Sequence, residues 1–379
     1  MSARLTVCVG GGGVGKTTTS AALALQLARA GARTLVLTVD PARRLADALG
    51  VAIGQAAAPV TICPHAAGRF FARMPDTRGS MGELMEWVFE DPEPRARVLS
   101  NPAYRELADA LAGMHELLTV TLLQHEANSG RYDEIVLDTA PSRNALAFLT
   151  FPQRFLELLE AKALGWLAAL SGGLQGGPPS SRRGRLGFFA WGRAKVESLF
   201  GRIVGVEALR NLSALFAELI NARGRWAELV RESDRLLRAP TTRYFVVGAP
   251  SGGAVSDVLF LLGALERRKV RPAAVVLNRS EAGVPPVERE VQALLDARPG
   301  LVPAADEAAL RGALQGLALE HRARAASADA AARALAARAP RGVPLYRLPF
   351  VGPASPPEIV LGLADAWQAL FDSRPADAP

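Results

Sequence analysis

Cysteine and lysine are both scarce in this chain, and each shortage excludes something. The 379 residues include two cysteines, Cys8 and Cys63. Two are too few for a disulfide framework, and they form no C-x-x-C pair, so a reducing, cytoplasmic setting is expected. The same count rules out a cysteine cluster for soft metals and a zinc site built from cysteine pairs. Long apolar runs are missing too: no stretch of 18 apolar residues occurs, and the N-terminus has no apolar core ahead of a small-residue cleavage site. Neither a membrane span nor a secretory signal is expected. No internal repeat is visible. Lysine occurs only at positions 16, 162, 195 and 269, although the formal net charge is +7. Arginine therefore carries the positive charge. The arginines are scattered, and the pairs Arg182/Arg183 and Arg267/Arg268 have no aromatics between them. They read as solvated helix faces, and no nucleic-acid partner is expected.

With 49% hydrophobic and 21% charged residues the composition is globular. Short apolar runs alternate with helical periodicity. "RLTVCVG" reads as a buried strand, followed by the helix "KTTTSAALALQLARAG", closed by Gly31. "ARTLVLTVD", ending at Asp40, "YDEIVLDTAP", "TRYFVVGAP", "PAAVVLNRS" and "VPLYRLPF" read as further strands. The pattern predicts an α/β fold with a mostly parallel, doubly wound sheet. Segments 69–128 and 151–238 have helical periodicity and are expected to form an inserted helical subdomain of a single domain spanning 1–379. The Gly-, Ser-, Pro- and Arg-rich stretch 171–187 is expected to be a mobile loop, and 372–379 a polar tail. Asp306 to Ala339 reads as an Ala-rich helix that either packs on the core or ends as a surface appendage.

"VCVGGGGVGKTTTSAAL", Val7 to Leu23, satisfies two phosphate-binding patterns at once. Gly10, Gly12 and Gly15 spell G-x-G-x-x-G, the dinucleotide fingerprint, and Asp40 stands where its ribose-binding carboxylate would lie. Gly10, Gly15, Lys16 and Thr17 spell G-x-x-x-x-G-K-[ST], the loop for a nucleoside triphosphate. Both put backbone N–H groups and a helix N-terminus against phosphate, so the glycines do not discriminate. Lys16 and Thr17 do. In a triphosphate site the ammonium neutralises the β- and γ-phosphates and the hydroxyl is offered to Mg²⁺; in a hydride-transfer site neither has a role. A chain that otherwise writes arginine keeps lysine where a compact ammonium must reach between phosphates. Asp138, at the end of an apolar strand, stands where a metal-orienting carboxylate belongs. The residues favour Mg²⁺ and ATP or GTP.

Several ordered segments then resemble the ArsA-type ATPases, which include the arsenite-pump ATPase and the ATPase that targets tail-anchored proteins; the chain reads as a bacterial member. "GGGGVGKTT" is similar to the family's G-K-G-G-V-G-K-T-T, "TVDPARRLADALG" to its first switch and "LDTAPSRNALAFL" to its second. "LAGMHELL" resembles its P-G-x-x-E segment without the proline, and "VVLNRS" and "RLPFVGPASPPEIVLGL" resemble the segments that hold adenine. The resemblance implies a P-loop NTPase fold and a dimeric ATPase with ATP and Mg²⁺ as ligands. Gly10, Gly11, Gly12, Gly13, Val14, Gly15, Lys16, Thr17 and Thr18 would hold the phosphates, Thr18 at the α-phosphate. Thr17, Asp40 and Asp138 would hold Mg²⁺, with Asp40 also orienting the attacking water. Asn278 would meet the adenine edge, and Pro349 with Phe350 would cover the base. Plain structural readings stand beside these: Asp40 as a strand-end cap, Asn278 as a turn residue, Phe350 as core.

One departure stands out. The family's second lysine, which reaches across a dimer to the partner's nucleotide, is replaced by Gly11. Its charge could come from Arg43, Arg44 or Arg143, or from a different partner, or hydrolysis could be slow. Two functions follow: a switch, as homodimer or heterodimer, coupling the γ-phosphate state to a partner or client, or a weakly catalytic scaffold subunit paired with a lysine-bearing paralogue. Trp166, Leu167, Phe188, Phe189, Trp191, Leu199, Phe200 and Phe216 would line a groove for a hydrophobic client, or simply form core.

Overall fold

The computed structural model describes residues 2–38, 44–51, 53, 60–61, 69–75, 77–104, 114–140, 146, 149–150, 152–153, 156–157, 206–281, 293, 296–298 and 303–372. Their contacts divide the chain into two compact units. One combines Met1–Met74, Ser129–Leu146 and Pro240–Pro379; the other combines Pro75–Asn128 and Ala147–Ala239.

The first unit is built on a sheet of β1 (Arg4–Gly10), β2 (Thr34–Thr38), β3 (Val60–Thr61), β4 (Phe70–Arg73), β5 (Glu134–Asp138), β6 (Arg243–Gly248), β7 (Ala274–Leu277) and β8 (Leu345–Arg347), in the order β3-β4-β2-β5-β1-β6-β7-β8. Seven of these strands run parallel; the two-residue edge strand β3 is antiparallel to β4. The central strands are buried at nearly every position, which is why they read as continuous apolar runs rather than alternating ones. Five helices belong to this unit: α1 (Lys16–Arg29), α2 (Arg44–Leu49), α8 (Gly252–Arg267), α9 (Ala304–Ala336) and α10 (Pro356–Asp372). Helix α1 packs between the sheet and α10. Trp367 of α10 is fully buried, with Phe245, Tyr346 and Phe371 around its ring. Arg29 of α1 bonds Asp365 of α10 at 2.7 Å, and Gln26 bonds Gln368.

The second unit is helical. It contains α3 (Thr77–Val88), α4 (Pro92–Ser100), α5 (Met114–Asn128), α6 (Val206–Asn221) and α7 (Arg223–Arg238). Its core gathers Met81, Leu84, Met85 and Val88 of α3 with Leu118, Leu215, Trp226, Leu229 and Val230. Asp91 caps α4 by accepting the Glu93 amide proton, and Pro92 opens the helix where no donor is needed.

The strands around Cys8, Leu37, Leu137, Val246, Val276 and Tyr346 stand where the sequence places them. At the start of 69–128, a segment expected to be helical apart from its Pro-containing interruption, Phe70–Arg73 is instead a strand beside β2. A four-residue run buried along its length carries neither period, and the partner strand decides its conformation. Helix α9 is both things expected of it: Ala325, Ala328, Ala331, Ala332 and Leu335 are buried, while Leu317 and Leu319 near its middle are exposed. Residues 158–205, and with them the stretch 171–187 and every groove residue except Phe216, lie outside the described residues, as do 373–379. Phe216 is half-buried on α6. Among the described residues no helix is long and apolar enough to cross a membrane.

Candidate functional site

Strand β1 delivers Gly10 to the carboxyl edge of the sheet, and the chain turns through Gly11–Gly15 into α1. The turn needs glycine at particular points. Gly13 and Gly15 have φ of 74° and 80°, the left-handed region that side chains disfavour. A Cβ on Gly10 would stand 2.5 Å from the Val247 carbonyl oxygen of β6, so the loop can leave the sheet here only without a side chain. A Cβ on Gly12 or Gly13 would meet nothing within 4 Å. The upper rim of the loop is open, and its lower rim is pressed against the sheet.

The first turn of α1 carries the charged and hydroxyl groups. Lys16 is 4% exposed, and Thr17 and Thr18 are half-buried. Thr17 Oγ1 donates to Asp138 Oδ2 at 2.7 Å, and Thr38 Oγ1 donates to the same oxygen at 3.2 Å. The register explains this meeting: Asp138 ends β5 directly beside Cys8 of β1 and Thr38 of β2. Thr139 then turns back to bond the Cys8 carbonyl at 2.8 Å. Burial pushes the Cys8 thiol up to about 12, so it is inert packing beneath the loop.

From the other side, Asn278 at the end of β7 is 3% exposed, and its Nδ2 donates to the Val14 carbonyl at 2.9 Å. A Cβ on Gly15 would collide with that amide. Asn278 N in turn bonds the Gly248 carbonyl, tying the ends of β6 and β7 together under the loop. The side chain that the resemblance assigns to an adenine edge braces the phosphate loop.

Pro349 and Phe350 are exposed. Phe350, at 51%, is not core, which corrects that reading: it follows β8 beyond the last buried position, Leu348. Arg44 is the exposed first residue of α2. Asp40, Arg43 and Arg143 lie outside the described residues.

Asp257 is the site residue that sequence reasoning missed. A Cβ on Gly11 would stand 2.5 Å from Asp257 Oδ2 and 3.3 Å from its Cβ. The carboxylate of α8 therefore occupies the space that a side chain at position 11 would need. The only hint in the sequence is an acid inside the largely apolar run "AVSDVLFLL".

Taken together, the residues suit a magnesium-chelated polyphosphate. A glycine rim open to one side, a helix N-terminus and an ammonium form an anion site. A hydroxyl and a carboxylate 2.7 Å apart are hard oxygen donors of the kind that Mg²⁺ takes. These features, on a parallel sheet with the loop between β1 and α1, define the P-loop NTPase class.

Comparison with known proteins narrows the class. Residues 3–171 match the family described as anion-transporting ATPase, ArsA_ATPase, so the ArsA-type resemblance holds over that part of the chain. Similar proteins include the ATPase GET3 of Malassezia globosa, 37% identical over 145 residues, which are 38% of this chain and 41% of that protein. The ATPase GET3 of Rhodotorula glutinis is 36% identical over 167 residues, 44% of each chain. The ATPase get3 of Aspergillus terreus is 37% identical over 167 residues, 44% of this chain and 46% of that one. The chain spans less than half the length of these relatives.

Proposed function

We propose that this protein is a Mg²⁺-dependent ATPase of the ArsA type, a dimeric switch that passes the state of the γ-phosphate to a protein partner. The observation that carries the reading is the 2.7 Å contact of Thr17 with Asp138 beside the buried Lys16. The backbone N–H groups of Gly10–Gly15 and the Thr18 hydroxyl hold the phosphates, and Lys16 neutralises the β/γ pair. Thr17 and Asp138, with Asp40, hold the Mg²⁺, whose charge would stabilise the phosphoryl oxygens during transfer. Asp40 orients the attacking water. Asn278 offers its amide oxygen to an adenine amino group while its nitrogen keeps Val14 in place, and Pro349 and Phe350 cover the base. Arg43, Arg44 or Arg143 supplies the cation that Gly11 lacks. The helical unit offers its apolar side chains to a hydrophobic client.

Calorimetry with ATP and Mg²⁺, and separately with NADH, tests the assignment. The expected result is Mg²⁺-dependent ATP binding, weakened roughly a hundredfold or more in Lys16→Ala, and no heat with NADH. Tight NADH uptake without heat from ATP and Mg²⁺ overturns it. Alanine variants of Arg43, Arg44 and Arg143 test the cation: unchanged ATP turnover in all three removes that part.

The crowding of Gly11 by Asp257 favours a second reading, a weakly catalytic scaffold subunit paired with a lysine-bearing paralogue. Single-turnover hydrolysis of the chain alone, then with such a paralogue, separates the two.

A further inference from the structure

A second cavity lies at the opposite end of β1 from the phosphate loop. Its volume is about 760 Å³, within the range of sites that enclose small organic ligands. The sheet face toward α1 forms its floor, Leu23 and Leu27 of α1 one wall, and Phe245, Tyr346 and Phe371 an aromatic wall. Its mouth is ringed by the residues just before β6, β7 and β8, among them Pro240, Pro272 and Pro344.

The polar side chains that line this cavity, Thr6, Thr242, Arg243 and Arg271, all carry donors. Thr6 of β1 lines the floor, is fully buried, and its Oγ1 has no hydrogen-bond partner. Arg243, paired in register with Thr6 across β1 and β6, lines it too. Its Nη2 is committed to Glu134 Oε2 at 2.6 Å, a carboxylate that Arg4 also holds at 2.7 Å. The Nε–H of Arg243 is buried and bonds nothing. Arg271, near the mouth, donates through Nη2 to the Arg341 carbonyl, which leaves its charge uncancelled by that partner. Among the described residues no acid lines the cavity. Orphaned buried donors are costly, and the Thr6 hydroxyl and Arg243 Nε–H beside an aromatic wall, with the exposed Arg271 at the mouth, define their complement: an acceptor bearing negative charge on a flat, apolar body.

We propose that this cavity is a binding site for an aromatic carboxylate, whose oxygens accept from Thr6 Oγ1 and Arg243 Nε and whose ring lies between Leu27 and the Phe245/Tyr346/Phe371 wall. The site is independent of the nucleotide assignment, because none of its lining residues belongs to the phosphate loop. It touches both elements that hold that loop, β1 through Thr6 and α1 through Leu23 and Leu27.

The test titrates the full-length protein with 2-naphthoate and, separately, with its neutral isostere 2-naphthamide, by calorimetry. The expected result is one site for 2-naphthoate, at least tenfold weaker for the amide. Leu27→Trp, which narrows the gap opposite the aromatic wall where the ring is placed, should weaken binding at least tenfold, and Thr6→Val, which keeps the shape and removes the hydroxyl, should weaken it about three- to tenfold. Arg243→Gln should weaken it further; if that variant fails to fold by circular dichroism, Thr6→Val and Leu27→Trp decide. Equal affinity for acid and amide, binding that survives Leu27→Trp unchanged, or no heat up to several millimolar naphthoate would each overturn the proposal.

Discussion

The two halves of the phosphate loop stand in unlike surroundings. At Gly12 and Gly13 the loop is open, Gly13 and Gly15 take left-handed conformations, and an ammonium and two hydroxyls follow on α1. At Gly10 and Gly11 the same loop is pressed by its neighbours, by the Val247 carbonyl at Gly10 and by Asp257 at Gly11. One half has the groups that grip an anion; the other has been stripped of side chains by its neighbours.

Breaking the gripping half should have the largest effect. Lys16→Ala removes a charge-assisted contact, and ATP affinity should fall roughly a hundredfold or more, as calorimetry would show. On the packed side, Gly10→Ala drives a methyl into a backbone carbonyl that cannot swing away. Thermal or urea unfolding should register a loss of about 1–3 kcal/mol. Asn278→Ala leaves the Val14 carbonyl buried without its donor, at a cost of about 1–2 kcal/mol in the same assay, with weaker ATP binding. The contrast sharpens in a double-mutant cycle. Gly11→Lys should destabilise the native protein, and Asp257→Ala should relieve that penalty, giving a coupling of about 0.5–3 kcal/mol; additive effects would mean the two positions do not compete for space. If the relieved double variant also turns over ATP faster than Asp257→Ala, the missing charge is what limits the rate.

The smallest effect lies far from the loop. Arg33 holds the Asp133 carboxyl down to about 2, from an ordinary 3.8, through side-chain and backbone hydrogen bonds. A carboxyl with a depressed folded-state value stabilises the fold above pH 3.8, and that contribution fades as the pH falls toward 2. Both partners are largely exposed, so screening keeps the effect small. Asp133→Asn should flatten the acid limb of the unfolding curve slightly and leave neutral pH nearly untouched.

Most of the sheet was legible because buried parallel strands write themselves as apolar runs bounded by glycine, proline and asparagine. The phosphate loop was legible because Lys16 and Thr17 have no other reason to follow five residues so rich in glycine. Strand β4 was not, since Phe70–Arg73 takes its conformation from pairing with β2 rather than from its own period. Helix α10 was overlooked because its interest lay in its resemblance to a base-holding segment, while the buried Trp367 that anchors it shows no marker in one dimension. Asp257 was invisible for a plainer reason: the residue at position 11 and the acid that displaces its side chain lie 246 positions apart, and only the folded chain sets them against each other.

The seating of Trp367 has a consequence for how this protein is made. Helix α1, which carries Lys16 and Thr17, finishes its packing only against α10, the last element that the structure describes. A chain in which α10 has not yet docked would display the glycine turn on an unsupported scaffold. A nucleotide that needs the loop pre-formed should therefore bind only once α10 has docked.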